Sequence, residues 1–302
     1  MIGGSRFFAS LRMTKRMVKG KVLKEEPLCK YTSFQIGGPA KYLVFPGDLE
    51  DLKKTLLWSK EEKIPYFILG GGSNILVNDK GFPGIVIHTG SLNRIEIKDN
   101  LIEVESGVKL SRLLSILQRE GLSGLEFLIG IPGTIGGALI MNSGGEEEIG
   151  ALVEEVTVLN EAGEKGKINR KELSFSYRSS NLKDYPFIWT AKLRLKKDEP
   201  ENIRKRMDDY LIKKKESQPL SFPSAGSIFK NPEGKSSAEL IEKSGLTGWQ
   251  IGKAMVSKKH SNFIINLGGA RAVDVLSLIS QIRKRVSQIF DIDLELEIEV
   301  VG

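Results

Sequence analysis

Two short stretches carry glycine in a pattern that chemistry could use. Gly70-Gly71-Gly72-Ser73-Asn74 leaves the apolar run Tyr66–Leu69. Gly130-Ile131-Pro132-Gly133-Thr134-Ile135-Gly136-Gly137-Ala138 follows later, with Asn142, Gly144 and Gly145 just beyond it. Backbone N–H groups approach a phosphate closely only where side chains are absent, and glycine also supplies the positive φ that such loops need. Ser73 and Asn74 add donors, so the first stretch suits a pyrophosphate. It is neither a Walker loop, which needs Gly-Lys-Ser/Thr, nor a Gly-x-Gly-x-x-Gly opening a helix. A tight turn accounts for it as well, and a buried chain reversal accounts for the second. Two such loops in one domain, without a nucleotide-kinase motif, favour a long, extended cofactor. A dinucleotide such as FAD spans that distance.

Other chemistries find little support. Cys29 is the only cysteine, so no internal disulfide and no cysteine-rich metal site can form, which fits a reducing, cytoplasmic compartment. His88 and His260 are the only histidines, too few for a zinc or di-iron centre, so no metal is expected. His88 ends an apolar strand and reads as structural; His260, beside Lys258 and Lys259, is assigned nothing. No apolar run nears the roughly 18 residues of a membrane-spanning helix.

The net charge is +7, which suits either nucleic acid or anionic small molecules. Much of it is local. Met1–Lys24 holds Arg6, Arg12, Lys15, Arg16, Lys19, Lys21 and Lys24 and no acid. Its apolar patch Phe7-Phe8-Ala9 is too weak for a secretory signal. Residues 1–20 are expected to be a disordered extension, with a start at Met13 or Met17 as one source and a targeting arm as the alternative. Without it the basic excess is close to nil. Basic clusters interleaved with aromatics are not seen elsewhere, so no nucleic-acid partner is expected.

The elements that must position these loops alternate between short strands and amphipathic helices. Leu49, Leu52, Leu56 and Leu57 predict a helix within 47–63, and Leu110, Leu113, Leu114 and Leu117 a second, stopped by Gly121. Strands are expected at Tyr66–Leu69, Ile85–Ile87, Ile95–Ile97, Leu101–Glu105, Val153–Asn160 and Ile188–Leu195. Lys196–Pro200 reads as a linker. Beyond it come a helix over Arg204–Glu216, then a short helix capped by Ser236 and Glu239 and closed by Gly245. A long helix buries Val275, Ile279, Ile282, Val286 and Ile289, and Leu294–Val301 reads as a half-exposed strand.

These residues bring a family into view. Tyr31-Thr32-Ser33-Phe34-Gln35-Ile36-Gly37-Gly38-Pro39-Ala40, the two glycine-rich loops, Ser176-Tyr177-Arg178-Ser179-Ser180, Pro223–Pro232 and Glu297–Gly302 resemble, in order, the UDP-N-acetylenolpyruvoylglucosamine reductases. Any one motif is weak, whereas six in order from about Leu23 to Gly302 are specific. The resemblance implies an α+β fold: a two-lobed FAD-binding domain of the vanillyl-alcohol-oxidase type over 21–197, and a C-terminal α+β substrate-binding domain over 201–302. It implies non-covalent FAD held by Gly70–Asn74, Gly130–Thr134, Gly136–Ala138 and Asn142. It implies NADPH as hydride donor, with UDP-N-acetylglucosamine enolpyruvate reduced to UDP-N-acetylmuramate for peptidoglycan precursors. A monomer in the cytoplasm is the expectation.

The same resemblance assigns roles. Hydride addition to an enolpyruvyl carbon leaves negative charge spread into the carboxylate, and the adjacent carbon must then take a proton. Arg178 matches the arginine that holds the carboxylate, where a fixed guanidinium suits two oxygens; a surface salt bridge is the ordinary use. Ser227 matches the proton donor; a turn serine is the alternative. Glu297 matches an acid near the substrate carboxylate, protonated to avoid repulsion, yet it alternates with Glu295 and Glu299 on what reads as a solvated face. Tyr177, Lys230 and Asn231 are expected to touch substrate. Lys230 and the run Lys213-Lys214-Lys215 either meet the UDP pyrophosphate or, for the run, form a solvated helix face.

Departures limit the transfer. The stretch between Arg178 and Ser227 is too short for the tyrosine-bearing insertion of one branch, so Tyr185 takes no such role. Ser-Gly-Gly-Glu-Glu-Glu after Asn142 replaces the usual alanine, glycine and aromatic residue. A different flavoprotein, such as a hydroxy-acid or alcohol oxidase, is the competing reading. Many of those attach FAD through histidine, and neither histidine lies in the two loops.

Overall fold

The computed structural model describes residues 18–302, so the extension expected over residues 1–20 lies outside them up to residue 17. The first lobe begins with β1 (Lys21–Pro27) and β2 (Pro39–Phe45), then α1 (Leu49–Glu62), β3 (Tyr66–Leu69), β4 (Ile75–Val77) and β5 (Phe82–His88). Its sheet runs β1-β2-β5-β3. The carboxylate of Asp48 accepts the N–H of Asp51 and caps α1, while Lys63 closes the helix in the left-handed region. Leu52, Leu56 and Trp58 bury its inner face against Tyr42, Ile85 and Ile87. Leu57, expected on that face, is exposed. β3 delivers the chain directly into Gly70–Asn74, which fixes where that loop opens.

The second lobe contains β6 (Ile95–Lys98), β7 (Leu101–Glu105), α2 (Leu110–Arg119), β8 (Leu122–Ser123), α3 (Ile135–Ile140), β9 (Val153–Leu159) and β10 (Lys165–Asn169). A hairpin of β11 (Phe175–Ser176) and β12 (Ser179–Ser180) follows, then β13 (Phe187–Arg194), β14 (Lys196–Lys197) and α4 (Pro200–Ser217). The main sheet runs β10-β9-β13-β7-β6, all antiparallel. Leu110, Leu113, Leu114 and Leu117 bury one stripe of α2, and Gly121 ends the turn with φ +62°.

The expected linker has more structure than its composition suggests. Lys196 and Lys197 pair with Ser123 and Leu122, and Pro200 opens α4, where its missing N–H is not needed. α4 then lies on the second lobe: Met207 and Tyr210 pack on its core, and Arg206 binds Glu126.

The last part contains β15 (Ser224–Ser227), α5 (Ser237–Lys243), β16 (Gln250–Ile251), β17 (Ala254–Val256), β18 (Phe263–Asn266), α6 (Ala272–Phe290) and β19 (Glu299–Val301). Its sheet runs β15-β18-β17-β16. Ser236 caps α5 as expected, and Gly245 follows with φ +72°. Val275, Ile279, Ile282 and Val286 are buried along α6, but Ile289 is exposed. One more helical step from Val286 reaches Phe290, which packs on the core instead.

The strand expected over Leu294–Val301 is divided between two partners. Leu296 makes a single bridge to Phe229, and only Glu299–Val301 form a strand, parallel to Ile75–Val77 of the first lobe. The chain therefore crosses from one unit to the other at Glu297. Leu294, Ile298 and Val301 are the buried residues, a spacing that a single two-faced strand would not give. In return Phe34, fully buried, Ile36 and Leu76 of the first lobe enter the core built on α6. The side-chain amide of Asn266 donates to Phe34 O (3.0 Å), and the Ser33 hydroxyl donates to Ser224 O (2.7 Å).

Val301 closes this joint, and burying a charge there leaves it without a partner. Val301→Asp is expected to lower the unfolding free energy by at least ~2 kcal/mol, read from denaturant titration. An unchanged midpoint would mean that the terminal strand is dispensable for stability.

Candidate active site

The two glycine-rich loops face each other with no room for side chains between them. A Cβ on Gly71 would stand 2.5 Å from Pro132 O and 2.9 Å from Gly133 Cα, and one on Gly70 would stand 2.5 Å from Thr134 Oγ1. Gly72 has φ +60° and Gly130 φ +78°. The loops wall a cavity of about 960 Å³, within the roughly 300–1,000 Å³ common for small-molecule and cofactor clefts. Thr134 Oγ1 is buried there with no hydrogen-bond partner among the described residues. A second cavity of about 730 Å³, beside Asp48, Arg112 and Trp189, contains none of the expected site residues.

Arg178, Ser227 and Glu297 line the same large cavity, though they come from three separate elements. Arg178 is the second residue of the two-residue turn joining β11 to β12 and has φ +54°. Glycine is the ordinary occupant of that conformation, and another residue costs about 1–2 kcal/mol. The guanidinium is held on two sides. Nε donates to Glu297 Oε1 (2.7 Å), and Nη1 donates to Gly144 O (3.0 Å). Its carbon also stands 5.1 Å from the centre of the Tyr177 ring.

Glu297 is held through its backbone as well. Its N–H donates to Ile228 O (2.8 Å), next to Ser227, and its carbonyl accepts the side-chain amide of Asn74 (2.9 Å). Its side chain is only 13% exposed. Burial pushes its pKa above the ordinary carboxylate value, although Arg178 and Lys230 both pull it down. Glu297 is therefore not on a solvated face. Glu295 is, being 72% exposed and paired with Lys230 at 2.5 Å.

Ser227 ends β15 after Gly226, which has φ +78° and nothing within contact distance of a Cβ position. Ser227 itself lines the cavity. Tyr177, Lys230 and Asn231 do not line the cavity. The Asn231 N–H donates to the Tyr177 hydroxyl (3.3 Å), while Asn231 Oδ1 accepts from Ser237 N (3.0 Å). That carboxamide oxygen is occupied at the start of α5.

Two of the expected loop residues do not line the cavity, and a third lines it with its side-chain amide engaged. Asn142, at φ +43°, is fully buried and does not line the cavity. Its Oδ1 accepts from Gly150 N (3.0 Å) and its amide donates to Ser176 O (3.1 Å), so it fixes the hairpin bearing Arg178. Gly136 is a packing glycine: a Cβ there would stand 2.9 Å from Ser106 Cβ. Asn74 lines the cavity, but its side-chain donor is used on Glu297 O. The departure Ser-Gly-Gly-Glu-Glu-Glu has a use, because Gly144 supplies the carbonyl that holds Arg178.

His88 is structural, as its position suggested. Its Nδ1 accepts from Gly90 N (3.1 Å), its ring packs on Tyr31 and Phe45, and burial pushes its pKa down. Tyr185 packs on the second lobe's core. Among the described residues no cluster of three or more acidic, cysteine or histidine side chains could hold a metal ion. No helix among them is long and apolar enough to cross a membrane.

The cavity agrees with what the chain is similar to. The family described as "FAD binding domain" matches residues 40–168. The one described as "UDP-N-acetylenolpyruvoylglucosamine reductase, C-terminal domain" matches residues 218–301. A UDP-N-acetylenolpyruvoylglucosamine reductase of Clostridium novyi (strain NT) is 43% identical over 292 residues, 96% of this chain and 94% of its own. One from Caldanaerobacter subterraneus subsp. tengcongensis is 42% identical over 293 residues, 96% of this chain and 97% of its own. The crystal structure of the Thermus caldophilus UDP-N-acetylenolpyruvylglucosamine reductase superposes with a TM-score of 0.80 at 38% identity, covering 94% of this chain and 99% of that one.

The backbone at Arg178 gives a test that separates strain from charge. Arg178→Gly relieves the positive φ and Arg178→Ala does not. Arg178→Gly is expected to be more stable than Arg178→Ala by about 1 kcal/mol in urea, although both lose the guanidinium. Equal stabilities would mean that the turn relaxes and stores no strain.

Proposed function

This chain belongs to the UDP-N-acetylenolpyruvoylglucosamine reductase family, and we propose that Arg178, Ser227 and Glu297 carry its reaction. That reaction is the reduction of UDP-N-acetylglucosamine enolpyruvate to UDP-N-acetylmuramate, a step of peptidoglycan precursor synthesis. The observation that carries the assignment is their convergence, from three elements, on the cavity walled by both glycine-rich loops.

The residues present fit FAD. Gly70, Gly71, Gly72, Gly133 and Gly137 present bare backbone to the cavity, and the buried Thr134 hydroxyl lacks a partner there. Gly130, Ile131, Pro132, Ser73 and Ala138 complete that wall. When bound, FAD supplies to the enolpyruvyl group a hydride that it takes from NADPH.

Arg178 binds the substrate carboxylate and offsets the charge that grows on it. Its Nε and Nη1 are already directed by Glu297 and Gly144, so the plane of the guanidinium is set before substrate arrives. Ser227 gives its hydroxyl proton to the carbon adjacent to the carboxylate. A hydroxyl is a weak acid, but a carbanion is a strong base, and Arg178 on the same cavity contributes positive charge that favours the alkoxide left behind. The substrate carboxylate competes with Glu297 for this one cation, and Glu297 takes a proton as it gives Arg178 up, since two like charges at one site repel. Tyr177, Lys230 and Asn231, outside the cavity wall, are assigned to the rest of the nucleotide sugar. The chain divides near 197–201 in this reading, with α4 resting on the first unit. A monomer working in the cytoplasm completes the proposal; the single cysteine is consistent with a reducing compartment.

Two outcomes follow. Ser227→Ala is expected to leave flavin reduction by NADPH intact and to slow flavin reoxidation by the enolpyruvyl sugar roughly a hundredfold or more, measured by rapid mixing without oxygen. Normal reoxidation would remove Ser227 from the chemistry. Protonated Glu297 releases Arg178, so substrate affinity should be highest at low pH and fall as pH rises through the raised pKa of Glu297. Glu297→Gln should flatten that profile in KM; an unchanged slope would assign the pH dependence elsewhere.

A further inference from the structure

We propose that Lys214 is a positioning residue for the cofactor: it sets the second glycine-rich loop and lends that wall the positive charge on which FAD affinity depends. The inference rests on reading the large cavity as the FAD site. Lys214 lies on α4, between the two stretches that match family descriptions.

The geometry is that of a clamp. Lys214 Nζ donates to Phe127 O (2.9 Å) and to Ile129 O (2.6 Å), the two carbonyls leading into Gly130. Its Cδ stands 3.5 Å from where a Cβ on Gly130 would be, so the stem fills the space that this glycine leaves open. Lys214 and the loop residues Gly130, Ile131 and Pro132 line the same cavity. An ammonium has three donors, and two are placed on the loop.

Among the described residues the ammonium makes no ion pair with a carboxylate; its partners are the carbonyls of Phe127 and Ile129. Among the elements packed on α4, the turn Glu126–Leu128 carries Glu126, which is bound by Arg206 (2.9 Å) and by Gly124 N (2.7 Å). α2 carries Arg112 and Arg119, and β8 carries no titratable group. On the cavity side stand Lys213, Glu146 and Glu147, the last accepting from the Tyr210 hydroxyl (3.1 Å). Burial lowers the pKa of Lys214 to about 8. The cation is thus costly where it sits, and an anionic diphosphate is the partner that would offset the cost.

The sign follows. Only protonated Lys214 attracts an anion, so its contribution to FAD affinity is full below about pH 8 and is lost as pH rises above that. Lys214→Gln keeps a donor for the two carbonyls and removes the charge. Lys214→Arg keeps the charge at every pH used.

The test is the dissociation of FAD from diluted holoenzyme, read by recovery of free-flavin fluorescence between pH 7 and pH 9.5. For the wild type, Kd should rise about tenfold across that range. Lys214→Gln should be about tenfold weaker at pH 7 and flat with pH, and Lys214→Arg should stay tight and flat. Lys214→Gln with wild-type affinity and wild-type slope overturns the inference. So does equal weakening in both variants, which would make the site one of packing only. A wild-type protein that holds no FAD would defeat the reading of the cavity itself, and this inference with it.

Discussion

The site depends on how residue Glu297 is tied down. Its N–H is bound to Ile228 O beside Ser227, its carbonyl to the side chain of Asn74 in the first glycine-rich loop, and its carboxylate to Arg178 on the hairpin. Two residues further on, β19 pairs with β4 of the first lobe. One short segment therefore registers three parts of the chain against each other, and a shift in any of them would move the acid relative to the arginine. Buried polar groups that are all satisfied in this way tolerate few alternative arrangements.

That constraint explains features that look expensive alone. Arg178 keeps a left-handed backbone that glycine would adopt freely, and its guanidinium bridges Glu297 and the Gly144 carbonyl, which glycine could not do. Asn142 is buried to hold Ser176 and Gly150, and so carries the hairpin rather than a ligand. Glu297 is taken out of water far enough that burial outweighs a bound arginine in setting its pKa. In the proposed reaction, an acid so placed gives up its partner to the substrate carboxylate and takes a proton in exchange. The exchange of Arg178 between two carboxylates is the core of this account.

The sequence carried the local elements well. Leucine spacing placed α1 and α2, and the glycine loops were legible because only glycine permits the approach of Gly71 to Gly133. The three side chains proposed to carry the reaction were legible through family resemblance alone, since nothing in the spacing of Arg178, Ser227 and Glu297 says that they meet. What stayed hidden was long-range. The alternation Glu295, Glu297, Glu299 suggested a wetted strand, and local pattern contains no sign that the chain changes partners at Glu297. Phe34 gave no sign that it would enter another unit's core. The lysine run on α4 looked like a solvated face. Whether one of its members is buried depends on the loop beneath it, here the carbonyls of Phe127 and Ile129.

The most direct test is to count protons when substrate binds. Calorimetric titration of oxidised holoenzyme with UDP-N-acetylglucosamine enolpyruvate, repeated near neutral pH in buffers of different ionisation enthalpy, gives the number taken up per site. The account predicts net uptake by wild-type enzyme that disappears in Glu297→Gln, because Arg178 passes from Glu297 to the substrate carboxylate. Binding heats independent of buffer, or uptake that persists in Glu297→Gln, would contradict it.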